Sequence, residues 1–200
     1  MRALVVYCHP IQSSFTAAVR DVVLDRLKTG GAETRLLDLH QDGFDPRMSA
    51  EEMSAYYSAP DNTQHVTRYL TDLAWCDTLI FVYPTWWYGL PATLKGWLDK
   101  VFLPGIAFLL PDEHHRTIRP NYTNITHLAV FTTCGASRWL NHWVGLPGRR
   151  TILRGLGILC ARRCRTTYCA QHLMDSATPE IRRRHLVNVA AKVDRMIARG

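Results

Sequence analysis

Leu79-Ile80-Phe81-Val82-Tyr83-Pro84-Thr85-Trp86-Trp87-Tyr88-Gly89-Leu90-Pro91 is the stretch whose reading decides the fold. Its first five residues form an unbroken apolar run of strand length, which suits a strand buried on both faces. The run stops at Pro84. Three adjacent aromatics, a glycine and a second proline make a turn, and Ala92 to Phe102 then reads as a helix. A soluble chain has little reason to place Trp-Trp-Tyr in the turn between a buried strand and a helix. That turn lies at the carboxyl end of a strand, where open α/β sheets bind ligands. A flat aromatic ligand would use it well.

Outward from this stretch the same alternation repeats. Ala3 to Cys8 is a buried first strand bounded by His9-Pro10, and Ser13 or Ser14 supplies an N-cap. Phe15, Ala18, Val19, Val22, Val23 and Leu27 form a helical apolar stripe that Gly30-Gly31 ends. Thr34 to Leu39 is the second strand. Gln41 to Asn62 is a polar excursion with a short helix at Ala50 to Tyr57, and helical spacing runs from Thr63 to Trp75. Thr78 to Tyr83 is strand three. Residues 104–124 read as a long excursion or small hairpin. Ile125 to Thr132 is strand four. A loop rich in Trp139, His142 and Trp143 then leads to a helix near Arg149 to Leu156. Cys160 to Tyr168 is strand five, and Pro179 to Arg199 is a final amphipathic helix with Thr178 as N-cap. Strands alternating with helices imply an α/β fold, a doubly wound parallel sheet covered by helices on both faces. Five strands fit the order 2-1-3-4-5, in one domain spanning residues 1–200.

Composition narrows the classes. Two hundred residues with 47% hydrophobic and 20% charged residues suit one globular domain. No apolar run has the length of a membrane span. Met1 to Tyr7 reads as a strand rather than a signal peptide, which predicts a cytoplasmic protein. The cysteines at 8, 76, 134, 160, 164 and 169 form no C-x-x-C pair and match no zinc-site spacing, so free thiols and no metal are expected. Net charge is +7, concentrated late at Arg149, Arg150, Arg154, Arg162, Arg163, Arg165 and Arg182-Arg183-Arg184. No nucleic-acid motif accompanies it, and a solvated basic face is the expectation, with the holding of a dinucleotide phosphate by some of these arginines as the alternative.

In a 2-1-3-4-5 sheet, strands one, three and four are neighbours, so the loops that follow them converge at the switch point. Loop one offers His9, Ser13, Ser14 and Thr16 with the free amides of a helix start, a setting for phosphate. It lacks the glycine patterns of a dinucleotide-binding Rossmann turn or a P-loop. A phosphatase using Cys8 as nucleophile would need an arginine in the same loop, and none lies between Cys8 and Thr16. Loop three is aromatic: Pro84 and Pro91 stiffen it, and Thr85, Trp86, Trp87 and Tyr88 lie between them. Loop four, Thr132-Thr133-Cys134-Gly135, carries hydroxyl and amide donors for a ring carbonyl or ring nitrogen. Together the loops suit a ligand with an anionic tail and a flat heteroaromatic head.

At these residues the chain resembles the NAD(P)H:quinone oxidoreductase family, flavodoxin-like flavoenzymes that include DT-diaphorase. His9-Pro10-x-x-x-Ser14-Phe15 resembles the family's first loop. Pro84-x-x-Trp87-Tyr88-Gly89-Leu90-Pro91-Ala92-x-Leu94-Lys95-Gly96-Trp97-x-Asp99-x-Val101-Phe102 resembles its most specific motif, and Thr132-Thr133-Cys134-Gly135 its third loop, usually Thr-Thr-Gly-Gly. The resemblance implies bound FAD or FMN and a ping-pong cycle: NAD(P)H reduces the flavin, and a quinone or similar electrophile then takes both electrons. It implies that His9, Phe15 and Thr16 contact the flavin phosphate and ribityl chain, that Thr85 to Tyr88 meet the isoalloxazine, and that Thr132 to Gly135 meet its pyrimidine edge. Trp87 and Tyr88 would also wall the acceptor pocket. A homodimer with flavin sites at the interface is the family's usual assembly. Cys134 departs from a family glycine. The family's tyrosine register falls near Trp139 and Leu140, and no histidine holds the matching place; His142 lies nearby and could substitute, although an ordinary surface histidine is the reading the sequence favours. Nitro- or azo-reduction would use the same site, and some relatives serve as ancillary subunits of potassium-efflux transporters, a contact with a membrane protein for which the basic C-terminal region is suited. A one-electron flavodoxin would be acidic, which +7 opposes.

Overall fold

The computed structural model describes residues 1–199. Five parallel strands form the main sheet: β1 (Arg2–Tyr7), β2 (Glu33–Asp38), β3 (Thr78–Pro84), β6 (His127–Thr133) and β7 (Arg165–Gln171). Their order is β2-β1-β3-β6-β7, all neighbours parallel. This is the expected 2-1-3-4-5 arrangement, because β4 (Phe108–Leu109) and β5 (Arg119–Pro120) form a separate antiparallel pair within the excursion. Helices α1 (Phe15–Thr29), α2 (Ala50–Ser54), α3 (Thr67–Trp75), α4 (Ala92–Val101), α5 (Arg138–Val144), α6 (Pro147–Arg150) and α7 (Pro179–Ile197) complete the fold.

The sheet is buried on both faces, and the period of two sorts its side chains. Leu4, Val6, Leu79, Phe81, Leu128 and Val130 pack on the side of α3 and α4. Ala3, Val5, Ile80, Val82, Ala129 and Phe131 pack on the side of α1 and α7. Trp97 of α4 is fully buried and meets Tyr69, Phe81 and Phe102 edge-on. Gly96 lets the polar excursion lie against α4: a Cβ there would sit 2.4 Å from Pro46. Lys100 pins the same excursion through the carbonyls of Asp45 and Arg47 and the carboxylate of Glu52.

Two expectations fail. The segment expected as a loop around Trp139, His142 and Trp143 is helix α5, whose start Ser137 caps by accepting from the Leu140 amide and whose end Gly145 terminates at φ 93°. Trp139, Leu140, Trp143 and Val144 do fall at helical spacing, but the helix is only seven residues long and both tryptophans stay exposed, so the caps at Ser137 and Gly145 rather than a buried face define it. The last strand is Arg165–Gln171 rather than Cys160–Tyr168. Pairing with β6 sets that register, His127 opposite Arg165 and Thr133 opposite Gln171. Apolar density pointed upstream, yet 151–159 continues α6 as a π-helical and then a 3₁₀ turn, and Cys160 bridges Tyr122 of the excursion. All six cysteines are free thiols.

Candidate functional site

The parallel order carries the ends of β1, β3 and β6 to one edge of the sheet, and the loops beyond them meet there. Ser14 caps α1 by accepting from the Ala17 amide at 3.1 Å, while its carbonyl accepts from Ala18. The amides of Phe15 and Thr16 precede the first intrahelical bond and stay free, an arrangement suited to an anion. His9 Nδ1 accepts from the Ile11 amide at 3.0 Å, which leaves the proton on Nε2. Burial lowers the pKa of this imidazole, so the neutral donor form prevails near pH 7.

Loop four joins the other two through hydroxyls. Thr16 Oγ1 meets Thr133 Oγ1 at 3.1 Å, Thr85 Oγ1 meets Thr132 Oγ1 at 2.9 Å, and the Thr85 amide donates to the Thr133 carbonyl at 2.7 Å. Loops one, three and four are thereby brought together as expected. Cys134 turns Sγ inward, where it accepts from Asn141 Nδ2 at 3.2 Å. Asn141 also donates to the carbonyls of Ala136 and Ser137, so one buried amide of α5 braces loop four.

The aromatic turn is the least ordinary backbone in the molecule. Gly89 donates its amide to the Trp86 carbonyl at 2.8 Å, closing a four-residue turn. Trp87 at φ 47° and Tyr88 at φ 61° occupy its centre, both left-handed. Glycine or asparagine normally fills such a turn; a bulky residue there costs about 1–2 kcal/mol. Trp87 is 91% exposed and Trp86 63%, so burial in this chain does not repay the strain. Strain held in place at a sheet mouth is a mark of a functional segment. The turn is held from behind: Gly148 of α6 donates its amide to the Tyr88 carbonyl at 3.2 Å, and a Cβ on Gly148 would lie 3.2 Å from Gly89.

Trp86, Trp87, Pro84 and Leu90 wall an apolar cleft of about 530 Å³, completed by Pro10 and by Cys8 and His40 at the ends of β1 and β2. Its size and lining suit a flat organic molecule. Cys8 is fully buried with His40 Nε2 3.7 Å from its Sγ, and burial pushes its thiol up to about 12, which disfavours the thiolate a nucleophile needs. His40 escaped the sequence reading, although its place one residue beyond a strand end was the available signal. His142 stands apart from the other predicted residues. Its Nδ1 lies 2.8 Å from the Arg138 carbonyl within α5, and it faces a different cleft, with Arg138, Arg149 and His172.

Comparison with known proteins gives the class. The model of a family described by its flavodoxin-like fold matches residues 1–189, and the chain belongs to that family. NAD(P)H dehydrogenase [quinone] 1 of Cavia porcellus is 31% identical over 123 residues, 54% of this chain and 45% of that protein. The chain thus spans about half the length of the curated relatives it matches. Among solved structures, the NAD(P)H:quinone oxidoreductase from Methanothermobacter marburgensis superposes with a TM-score of 0.83 at 22% identity, covering 98% of each chain. The FMN-dependent NADH-azoreductase of Bacillus anthracis, in complex with FMN, superposes with a TM-score of 0.76 at 15% identity, covering 100% of this chain and 99% of that one. At these identities the two structures establish the shared fold. Among the described residues, no helix is long and apolar enough to cross a membrane.

Proposed function

We propose that the protein is a flavin-dependent NAD(P)H oxidoreductase that reduces quinones or similar electrophiles by two electrons. The observation that carries this reading is the strained Trp87–Tyr88 turn, with Trp87 exposed and Tyr88 half-buried, set between a cluster of threonine hydroxyls and an apolar cleft. The names of the relatives support it. The donor set fits a flavin, FAD or FMN. Free amides at Phe15 and Thr16, with His9 Nε2–H, suit a phosphate; Thr85, Thr132 and Thr133 suit the polar edge of the ring; Pro84 and Trp86 suit its flat faces. When bound, the flavin supplies two-electron chemistry in two half-reactions that share one pocket, first with NAD(P)H and then with the acceptor.

The chain's own contribution is binding and geometry. Ser14 orders the helix start that holds the anionic tail. Gly148 and the two prolines fix the turn, so Trp86 and Trp87 form a rigid wall for a planar acceptor, azo and nitro compounds included, while Tyr88 lies outside the lining of that cleft. Cys134, turned onto Asn141, shapes loop four, and Gly135 leaves room for Asp175, whose carboxylate a Cβ there would meet at 2.6 Å. His142 has no part in proton transfer in this reading, because it lines another cleft. A homodimer completes the proposal, with the stacked and exposed Trp139–Trp143 pair as covered surface.

The test is direct. The purified protein should carry or take up flavin, should be bleached by NADH or NADPH without acceptor, and should recover its colour on adding a soluble quinone. A preparation that neither carries nor binds flavin overturns the proposal. Unchanged flavin affinity and quinone reduction in Trp87→Ala would remove the turn from the site.

A further inference from the structure

We propose that the cleft enclosed by α5–α6, the edge strand β7 and α7 binds a small phosphorylated molecule. Charge first marks the region. Thirteen of the 24 lysines and arginines follow Arg119, but only three of the 17 carboxylates do. Among the described residues, every ion pair formed by a lysine or arginine uses a cation at or before Arg119. The late cations therefore lack the local neutralisation that the first half of the chain has.

Geometry turns this excess into a site. Arg138 of α5, Arg149 of α6 and Lys192 of α7 come from three separate elements and line one cleft of about 370 Å³, with His142 and His172 beside them and no carboxylate among the lining residues. That volume lies in the range of small-molecule pockets. Converging like charges repel, and an anion placed among them removes the penalty. Arg149 is positioned rather than free, because its guanidinium lies over the Tyr168 ring, 5.2 Å from the centroid. A planar guanidinium held in one orientation matches phosphate oxygens in pairs.

The floor adds neutral donors. β7 ends the sheet and has one neighbour. The Arg165 amide donates to the Thr126 carbonyl and the Gln171 carbonyl accepts from the Cys134 amide, so the odd-numbered residues pair towards β6. Tyr168 and Ala170, which line the cleft, therefore turn their backbone amides to the open edge, where an anion can accept them. The cleft shares no lining residue with the aromatic cleft. It does abut loop four, since Asn141 lies with one amide between Cys134 Sγ and His172 Nδ1. The assignment does not depend on flavin binding.

Isothermal titration with inorganic diphosphate, at an ionic strength fixed by sodium chloride, tests the site. Saturable binding of one equivalent is expected. The Arg138→Gln/Arg149→Gln double variant should bind about tenfold or more weakly, the scale of lost charge-assisted hydrogen bonds. Arg182→Gln/Arg183→Gln removes equal charge outside the cleft and should change Kd by less than about twofold, as screened surface charges do. Lys192→Gln weakens binding from the opposite wall while leaving Arg149 on Tyr168, and it serves if the double variant misfolds. Equal losses in the two double variants, absence of saturation, an unchanged Kd in Lys192→Gln, or displacement of bound flavin by diphosphate would each overturn the assignment.

Discussion

Replacing Trp87 by glycine separates strain from burial. Trp87 is 91% exposed, so of the roughly 200 Å² a tryptophan can bury, about 20 Å² is lost, or ~0.5 kcal/mol at ~25 cal/mol per Å². Its φ of 47° is free for glycine, and leaving that strain regains about 1–2 kcal/mol. Against this stands the greater chain entropy of unfolded glycine, about 0.5–1 kcal/mol. The sum predicts a Trp87→Gly protein within about 1 kcal/mol of the parent, and more stable than Trp87→Ala, which keeps the strain. Strain relief less glycine's entropy leaves about 0–1.5 kcal/mol in favour of Gly over Ala, so with ~2–4 °C per kcal/mol for a chain of this size Trp87→Gly should melt up to about 6 °C above Trp87→Ala. Calorimetry of both variants measures this. The same variants should bind flavin or acceptor about 2- to 10-fold more weakly, the scale of one lost aromatic stack. A loss of stability for Trp87→Gly of the size seen for core tryptophans, ~3–5 kcal/mol, would refute the reasoning. It would mean that Trp87 is packed in solution and that the left-handed turn is supported by burial.

Other expectations follow from packing and titration. Gly96→Ala forces a Cβ to 2.4 Å from Pro46, so thermal melting should show a loss of about 1–3 kcal/mol. Burial pushes the thiols of Cys8 and Cys76 up to about 12 and that of Cys169 up to about 11, whereas Cys160 holds half-buried Cys164 below the ordinary value. Brief alkylation of the native protein at pH 8 should therefore label Cys164 first, and peptide mapping that finds Cys8 labelled early would contradict the buried assignment. Burial holds His185 down to about 4, below its unfolded value of about 6.5, so the unfolded chain takes the proton first. Its contribution to stability is present above pH ~6.5 and is lost as pH falls towards 4. His185→Phe, packed beside Phe15, should give a shallower fall of Tm between those limits.

What the sequence determined alone is the sheet. Apolar runs at Ala3–Cys8, Leu79–Tyr83 and Ile125–Thr132, each of strand length and bounded by turn residues, read as strands buried on both faces, and the helical stripes between them point to parallel connections. The order 2-1-3-4-5 fits that pattern, and the sheet confirms it and brings loops one, three and four together; the residues of those loops were legible because strand ends are marked by prolines, serines and threonines. Local signals failed where pairing or packing decides. The register of β7 is set by β6, not by the apolar density around Cys160. Helix α5 exists through its caps and through Asn141, which bonds loop four. Tertiary structure alone brought His40 into the aromatic cleft, took His142 out of it, and carried Arg138, Arg149 and Lys192 from three elements to one place. No spacing along the chain encodes that convergence, because it depends on how helices dock on a sheet edge rather than on any local preference of the residues that meet there.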